Sequence, residues 1–345
     1  MQPFNAGPSH SNRDLIGRSH DIEQPSFTWP NGARVCLSFV INYEEGGENT
    51  LLHSAEEGDT HAESFLTENG VAPTVLPPLK ERELSRESSY AYGSRQGLGR
   101  ILRLFKRYGL KSTSWSVGKA IQLNPGAAKE MEESGCEVGS HSWRWINYAG
   151  MDEEKEKEHI ERTLTTLQSS TSSSTTNPPL GWYTGRCSLS TRRLVYEAYA
   201  ARGLQSQYYD NDAYDDDLPY YLSAPTTDGK GEPMLVIPYT LDVNDMKFGI
   251  SPGFSTGRQF HEYLSDALRT LLQEAEQEGR SSILTVGLHC RIVGRPGRFA
   301  GLEGFVREVV GMQGGEGREK IWVASRGEIA RFWREKFPPP QQKSV

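Results

Sequence analysis

The sequence predicts an α/β protein on a mostly parallel sheet, most economically a closed or distorted barrel. Two observations carry this: short apolar strand-like runs alternate with helical periodicities along most of the chain, and polar or ionisable residues recur just after five of those runs. A length of 345 residues suits one such barrel as a single unit.

The first run, residues 34–41, is mostly apolar and reads as a buried strand. It ends in Asn42-Tyr43-Glu44-Glu45-Gly46-Gly47-Glu48, where Gly46 and Gly47 let the backbone bend and leave Glu44 and Glu45 at the strand's carboxyl end. Leu98, Ile101, Leu102 and Phe105 recur at three- and four-residue steps, predicting a helix over 94–108. A strand over 113–117 follows, and then Asn124 as N-cap and Pro125 at the first position of a helix reaching about Ser134. Residues 136–140 read as a strand and 152–167 as a helix, with Asp152, Glu153 and Glu154 at its positive end. The remaining strands are placed at 180–184, 234–237, 283–288 and 321–324, and the remaining helices at 191–201, 260–278, 302–310 and 326–336. These make roughly seven or eight strand–helix pairs.

Composition narrows the partners. An apolar content of 36%, a charged content of 24% and a net charge of −7 are ordinary for a soluble protein. No basic stripe with interleaved aromatics points to nucleic acid, and the acidic balance does not favour polyanions. The first twenty residues hold no apolar run, and no window approaches the roughly eighteen apolar residues of a membrane span, so a cytoplasmic protein is expected. Cys36, Cys136, Cys187 and Cys290 lie far apart without a CxxC spacing, which makes reduced thiols the expectation. The organisation expected is an N-terminal arm over 1–30, one barrel domain over 31–337 and a disordered tail over 338–345. The Ser/Thr run 169–177 reads as a surface insertion, and 71–78, with three prolines, as an irregular excursion.

In a parallel sheet the strand carboxyl ends share one face. Five loops then offer Asn42, Glu44, Glu45 and Glu48; Ser140 and His141; Arg186; Asp242, Asn244 and Asp245; and His289 with Arg291. That set supplies what a hydrolytic site needs: a base for water, an acid for the leaving atom, and cations or dipoles for an oxyanion. Each residue has a plainer reading. His141 or His289 alone is more often structural, Arg186 has Asp210 or Asp212 as partners, and the acidic segment 214–220 lacks the ligand spacing and glycine of an EF-hand.

Several motifs are long enough to carry a resemblance: Leu37-Ser38-Phe39 with Asn42-Tyr43-Glu44-Glu45-Gly46-Gly47-Glu48, Tyr92-Gly93-Ser94-Arg95, and Gly139-Ser140-His141 with Arg144-Trp145. Further along stand Gly181-Trp182-Tyr183-Thr184-Gly185-Arg186, Tyr214-Asp215-Asp216-Asp217-Leu218-Pro219-Tyr220, Ile237-Pro238-Tyr239-Thr240-Leu241-Asp242 with Asn244-Asp245-Met246, and Gly287-Leu288-His289-Cys290-Arg291. Together they closely resemble the cofactor-independent allantoinases of the polysaccharide deacetylase (NodB-homology) superfamily, from Arg13-Asp14-Leu15 to Trp333.

The resemblance implies a distorted (β/α)7 barrel, no cofactor, a small cyclic ureide as substrate and a homo-oligomer. Typical deacetylases of the superfamily hold a divalent metal with one Asp and the two His of a His-Ser-x-x-His motif. Here Trp145 stands in the place of the second His, and Asn42-Tyr43-Glu44 replaces the usual aspartate pair. An indole nitrogen has no lone pair for a metal, so no metal ligands are assigned. The implied reaction opens the hydantoin ring of allantoin to give allantoate, with Glu44 or Glu45 as general base and His289 as general acid. Asn42, Glu48, His141 and Asp245 would line the substrate, Arg186 or Arg291 would hold a ureido oxygen or the nascent carboxylate, and Trp145, Trp182 and Tyr183 would wall the flat ring. The competing expectations are a hydrolase of another cyclic ureide or imide, a metal-dependent chitin or peptidoglycan deacetylase, and a catalytically silent binding module. Trp145 argues against the second and the retained polar mouth against the third.

Overall fold

The computed structural model describes residues 27–62, 80–171, 178–226, 230–250, 252–314 and 321–339. The excursion 71–78, most of the Ser/Thr run, most of the tail and the start of the resemblance at 13–17 lie outside them. In chain order the elements are β1 (Val35–Tyr43), α1 (Ser54–Glu57), α2 (Leu84–Tyr92), a π-turn (Gly93–Gly97), α3 (Leu98–Tyr108), β2 (Ser112–Ser116), α4 (Gly118–Leu123), α5 (Pro125–Glu133), β3 (Cys136–Ser140), α6 (Glu153–Ser170) and β4 (Gly181–Trp182). They continue with α7 (Thr191–Ala200), β5 (Tyr209–Asp210), β6 (Tyr220–Leu222), β7 (Met234–Val236), α8 (Gly257–Glu278), β8 (Ser282–His289), α9 (Pro296–Gly314), β9 (Ile321–Val323) and α10 (Arg326–Lys336).

The strands form one sheet in the order β6-β7-β5-β4-β3-β2-β1-β8, parallel throughout except for β6 on β7. β9 pairs with β1 at Val35, Cys36 and Leu37, below the point where β2 joins at Val40. Among the described residues, strand pairing does not close the sheet. Between β7 and β8 the chain runs irregularly, joined to β8 by the bridge of Asn244 to Gly287 and by the Thr285 amide on Thr240 Oγ1. This is the distorted barrel expected.

Side-chain alternation along the strands sets what faces the interior. Val35, Leu37, Phe39, Ile41 and Tyr43 of β1 pack outward against Leu98, Ile101, Phe105 and Leu264 of the helical layer. Cys36 and Val40 point inward, to a cluster with Trp115, Tyr183, Tyr209 and Tyr239. A period of two continues this inward face to Asn42 and Glu44. From the barrel's other end, Arg326 enters fully buried and donates to Asn211 Oδ1 and Thr285 Oγ1 at 3.0 Å each, and to the Ile237 and Pro238 carbonyls at 3.0 and 2.7 Å. It ties the irregular stretch after β7 to the rest of the barrel. Phe27 and Trp29 cover that end, packed on Trp322, Phe332 and Trp333.

Three expectations change. Asn124 precedes α5 without capping it, and its Nδ2 donates to Tyr43 Oη at 3.0 Å. α2 and α4 were not anticipated, and neither were β5 and β6, the latter antiparallel. Among the described residues, no helix is long and apolar enough to cross a membrane.

Candidate active site

The turn after β1 is built by its glycines. Gly46 adopts φ +101°, a region L side chains rarely occupy, and the Gly47 amide closes onto the Glu44 carbonyl at 2.7 Å. The loop is held from the side by Arg144, which donates to the Gly47 and Glu48 carbonyls at 2.9 and 2.7 Å, and by the Trp145 amide on Gly47 O at 2.9 Å. Glu44 is thereby fixed, fully buried, at the mouth of the barrel.

Three other predicted residues meet at Glu44. Its Oε1 lies 3.3 Å from His141 Nε2 and 3.4 Å from His289 Nε2, and its Oε2 lies 2.6 Å from Arg291 Nη1. His141 is oriented by its Nδ1 on the Tyr183 carbonyl at 2.9 Å and by stacking on the Tyr183 ring. The next residue, Ser142, sits at φ +61°, a strained conformation of the kind held at functional sites. His289 is oriented by Asp245, whose Oδ1 lies 2.6 Å from Nδ1 while Oδ2 accepts the amides of His289 and Val293 at 2.8 and 3.0 Å.

These contacts set the charges. Burial pushes Glu44 up, but Arg291, His289 and His141 together hold it well below the usual carboxylate range. Burial opposes charge on His289, yet Glu44 and Asp245 outweigh it and raise the imidazole to about 10. The site at neutral pH is therefore a carboxylate facing an imidazolium and a guanidinium.

The other predicted residues fall into a second ring. Glu45, one position on, takes the opposite face: its Oε2 accepts the Glu44 amide at 3.0 Å and its carboxylate lies against Gly93, where any Cβ would overlap it. Glu48 Oε2 accepts the Gly46 amide at 2.8 Å. Burial raises both carboxyls to about 7. Asn42 donates to the Leu288 carbonyl at 3.3 Å. Trp145 is half-buried, with the Arg186 guanidinium 3.7 Å from its ring centre and that of Arg291 at 5.2 Å. Asp210 pairs with Arg192 at 3.0 Å, and Asp212 accepts the Thr184 and Gly185 amides.

Trp182 is a correction. It was expected beside Tyr183 as a wall of the substrate site, but adjacent strand residues face opposite ways, and Trp182 packs outward among Leu164, Val195 and Tyr199. Tyr183 alone faces inward, stacked on Tyr239 with ring centres 5.2 Å apart. Sequence reasoning missed Arg86 and Tyr90 of α2, whose i, i+4 spacing puts both on one helix face; Arg86 Nη2 donates to Tyr90 Oη at 2.8 Å, and Tyr90 lies under Arg291.

The donor set does not fit a divalent metal. Trp145 offers no lone pair, the Arg291 guanidinium already occupies Glu44 Oε2, and among the described residues no three His, Cys, Asp or Glu side chains are gathered as ligands.

Comparison with known proteins agrees with this fold. A family model for polysaccharide deacetylase matches residues 88–199. A Schizosaccharomyces pombe protein named "Putative polysaccharide deacetylase" is 43% identical over 335 residues, covering 95% of this chain and 99% of that protein. Among solved structures, a "probable Polysaccharide deacetylase" from Pseudomonas aeruginosa PAO1 is 44% identical with a TM-score of 0.80, covering 95% of this chain and all of its own. PuuE allantoinase is 42% identical with a TM-score of 0.81, covering 96% of this chain and 100% of that chain.

Proposed function

This chain belongs to the polysaccharide deacetylase family, and within it we propose that the protein is a hydrolase that opens the hydantoin ring of allantoin to allantoate. The observation that carries the reading is the single carboxylate Glu44 in contact with two imidazoles and one guanidinium, with an indole in place of a further ligand. The similarity to PuuE allantoinase over 96% of the chain supports the substrate.

In this mechanism water rests against the Glu44 carboxylate beside His141 and attacks the ring carbonyl. The new C–O bond forms as Glu44 takes the water's proton, and the carbonyl oxygen becomes an oxyanion facing Arg291. Glu44 is a weak base beside Arg291; as negative charge develops on the carbonyl oxygen facing the same fixed guanidinium, that charge is shared between the two oxygens and Glu44 gains basicity. The C–N bond then breaks, and His289, charged up to about pH 10, gives its proton to the departing nitrogen while Asp245 keeps Nδ1 in place. Glu45 is better suited to holding the loop than to acting as base, because its carboxylate lies on the far side. Arg186 beside Trp145 is placed to take a ureido oxygen or the product carboxylate.

A second reading, deacetylation of an N-acetylated sugar polymer, is favoured by the names of the S. pombe and P. aeruginosa relatives. The test is a panel of allantoin, other hydantoins, cyclic imides and N-acetylglucosamine oligomers. Ring opening of allantoin at the highest kcat/KM supports the proposal; acetate release from the oligomers without ring opening overturns it.

A further inference from the structure

The Arg291 guanidinium lies between two aromatic rings, 4.3 Å from the centre of Tyr90 and 5.2 Å from that of Trp145, while Nη1 reaches Glu44 Oε2 at 2.6 Å. Both ring distances are within the range of cation–π attraction, which is strongest where, as here, the cation is withdrawn from water. Tyr90 is itself buried on α2, and its hydroxyl accepts from Arg86.

We infer that Tyr90 is a positioning residue: with Trp145 it clasps the Arg291 guanidinium, so that this cation is aimed at Glu44 and at the oxyanion that forms beside it. The inference rests on the proposed reaction for its consequence but not for its geometry. A guanidinium on a flexible side chain gains catalytic value from being held before the reaction starts, because no reorganisation is then needed as charge develops. The indole at position 145 thereby does more than remove a metal ligand. It supplies one wall of the holder for a fixed organic cation, and α2 supplies the other. The charged groups around Arg291 are Glu44, Glu45 and Glu48 on the β1 loop, His289 after β8, His141 after β3 and Arg86 on α2.

The test uses the full chain and two readouts. Tyr90→Phe keeps the ring and loses the hydroxyl, whereas Tyr90→Met keeps much of the volume and loses the ring. The first readout is the NMR order parameter of the Arg291 Nε–Hε bond in arginine-labelled protein, assigned with Arg291→Lys. The inference expects a rigid value near about 0.85 in the parent and in Tyr90→Phe, falling below about 0.6 in Tyr90→Met. The second is ring-opening kinetics, where Tyr90→Met is expected to lose about ten- to thirtyfold in kcat with little change in KM, and Tyr90→Phe to stay within about threefold. An Arg291 that is as rigid in folded Tyr90→Met as in the parent overturns the inference, and so does an equal loss of rigidity in both variants, which would assign the hold to the hydroxyl. Where Tyr90→Met does not fold, Trp145→Met at the half-exposed wall carries the same two outcomes. A protein that opens no cyclic amide sinks the proposed function alone, since the order parameter still decides the clasp.

Discussion

Replacing Asp245 by asparagine removes one of the two carboxylates facing His289 while keeping its shape. Asp245 Oδ1 lies 2.6 Å from Nδ1 and Glu44 Oε1 lies 3.4 Å from Nε2, and together they raise the imidazole to about 10 against the cost of burial. One opposite charge at such range moves a pKa by about one to three units, or about 1.4 kcal/mol per unit. The variant's imidazolium should therefore titrate between about 7 and 9. In addition, an asparagine NH2 turned to Nδ1 favours the tautomer with its proton on Nε2 in the neutral form, so the rate should fall about a hundredfold or more. The assay is the pH dependence of kcat/KM for ring opening, with the alkaline limb moving down by one or more units. Stability follows the same linkage. A His raised in the fold contributes stability that is fully present below about pH 6.5 and is lost as pH rises through about 10. The parent's melting temperature should fall over that window more steeply than the variant's. An Asp245→Asn protein that melts in parallel with the parent and keeps its alkaline limb near pH 10 would refute the Asp245–His289 assignment.

Three further outcomes follow from the surrounding shell. Glu48 is raised by burial to about 7, so its contribution to stability is present below about pH 4.5 and lost as pH rises through about 7; Glu48→Gln should melt a few degrees above the parent at pH 8 and level with it near pH 4.5, and an equal gap at both would contradict this. Gly93→Ala places a Cβ on the Glu45 carboxylate, which is buried and hard to displace, and should cost about 1–3 kcal/mol in denaturant unfolding. Arg326→Leu strands Asn211 Oδ1, Thr285 Oγ1 and two backbone carbonyls inside the barrel, so a loss of at least about 3 kcal/mol is expected, and a loss under about 1 kcal/mol would show that water replaces the guanidinium.

Much of this was legible because hydrophobic period and loop chemistry act locally. The long helices and the strands near β1, β3 and β8 announce themselves by spacing, and the polar residues after the strands do converge where a parallel sheet sends them. The choice between Glu44 and Glu45 was also present in the sequence: the large apolar residues of β1 fall at Val35, Leu37, Phe39, Ile41 and Tyr43, so the opposite face runs through Ser38 and Asn42 to Glu44. The same alternation would have separated Trp182 from Tyr183. By contrast α2 has few apolar positions and leaves Leu84 exposed, so no amphipathic stripe marks it, although Arg86 and Tyr90 reach the site. β5 and β6 span two and three residues, too few for a periodic signal. The contact of Asp245 with His289 joins residues 44 apart through an irregular stretch that spacing does not describe.

In the proposed mechanism Glu44, His289 and Arg291 open a cyclic amide without a bound metal. The direct measurement is the initial rate of allantoin ring opening by protein dialysed against a strong chelator, before and after addition of zinc, with Glu44→Gln alongside. The chelated protein is expected to keep its rate within about twofold, zinc to add nothing, and Glu44→Gln to be inactive. A rate that vanishes on chelation and returns with zinc would contradict it.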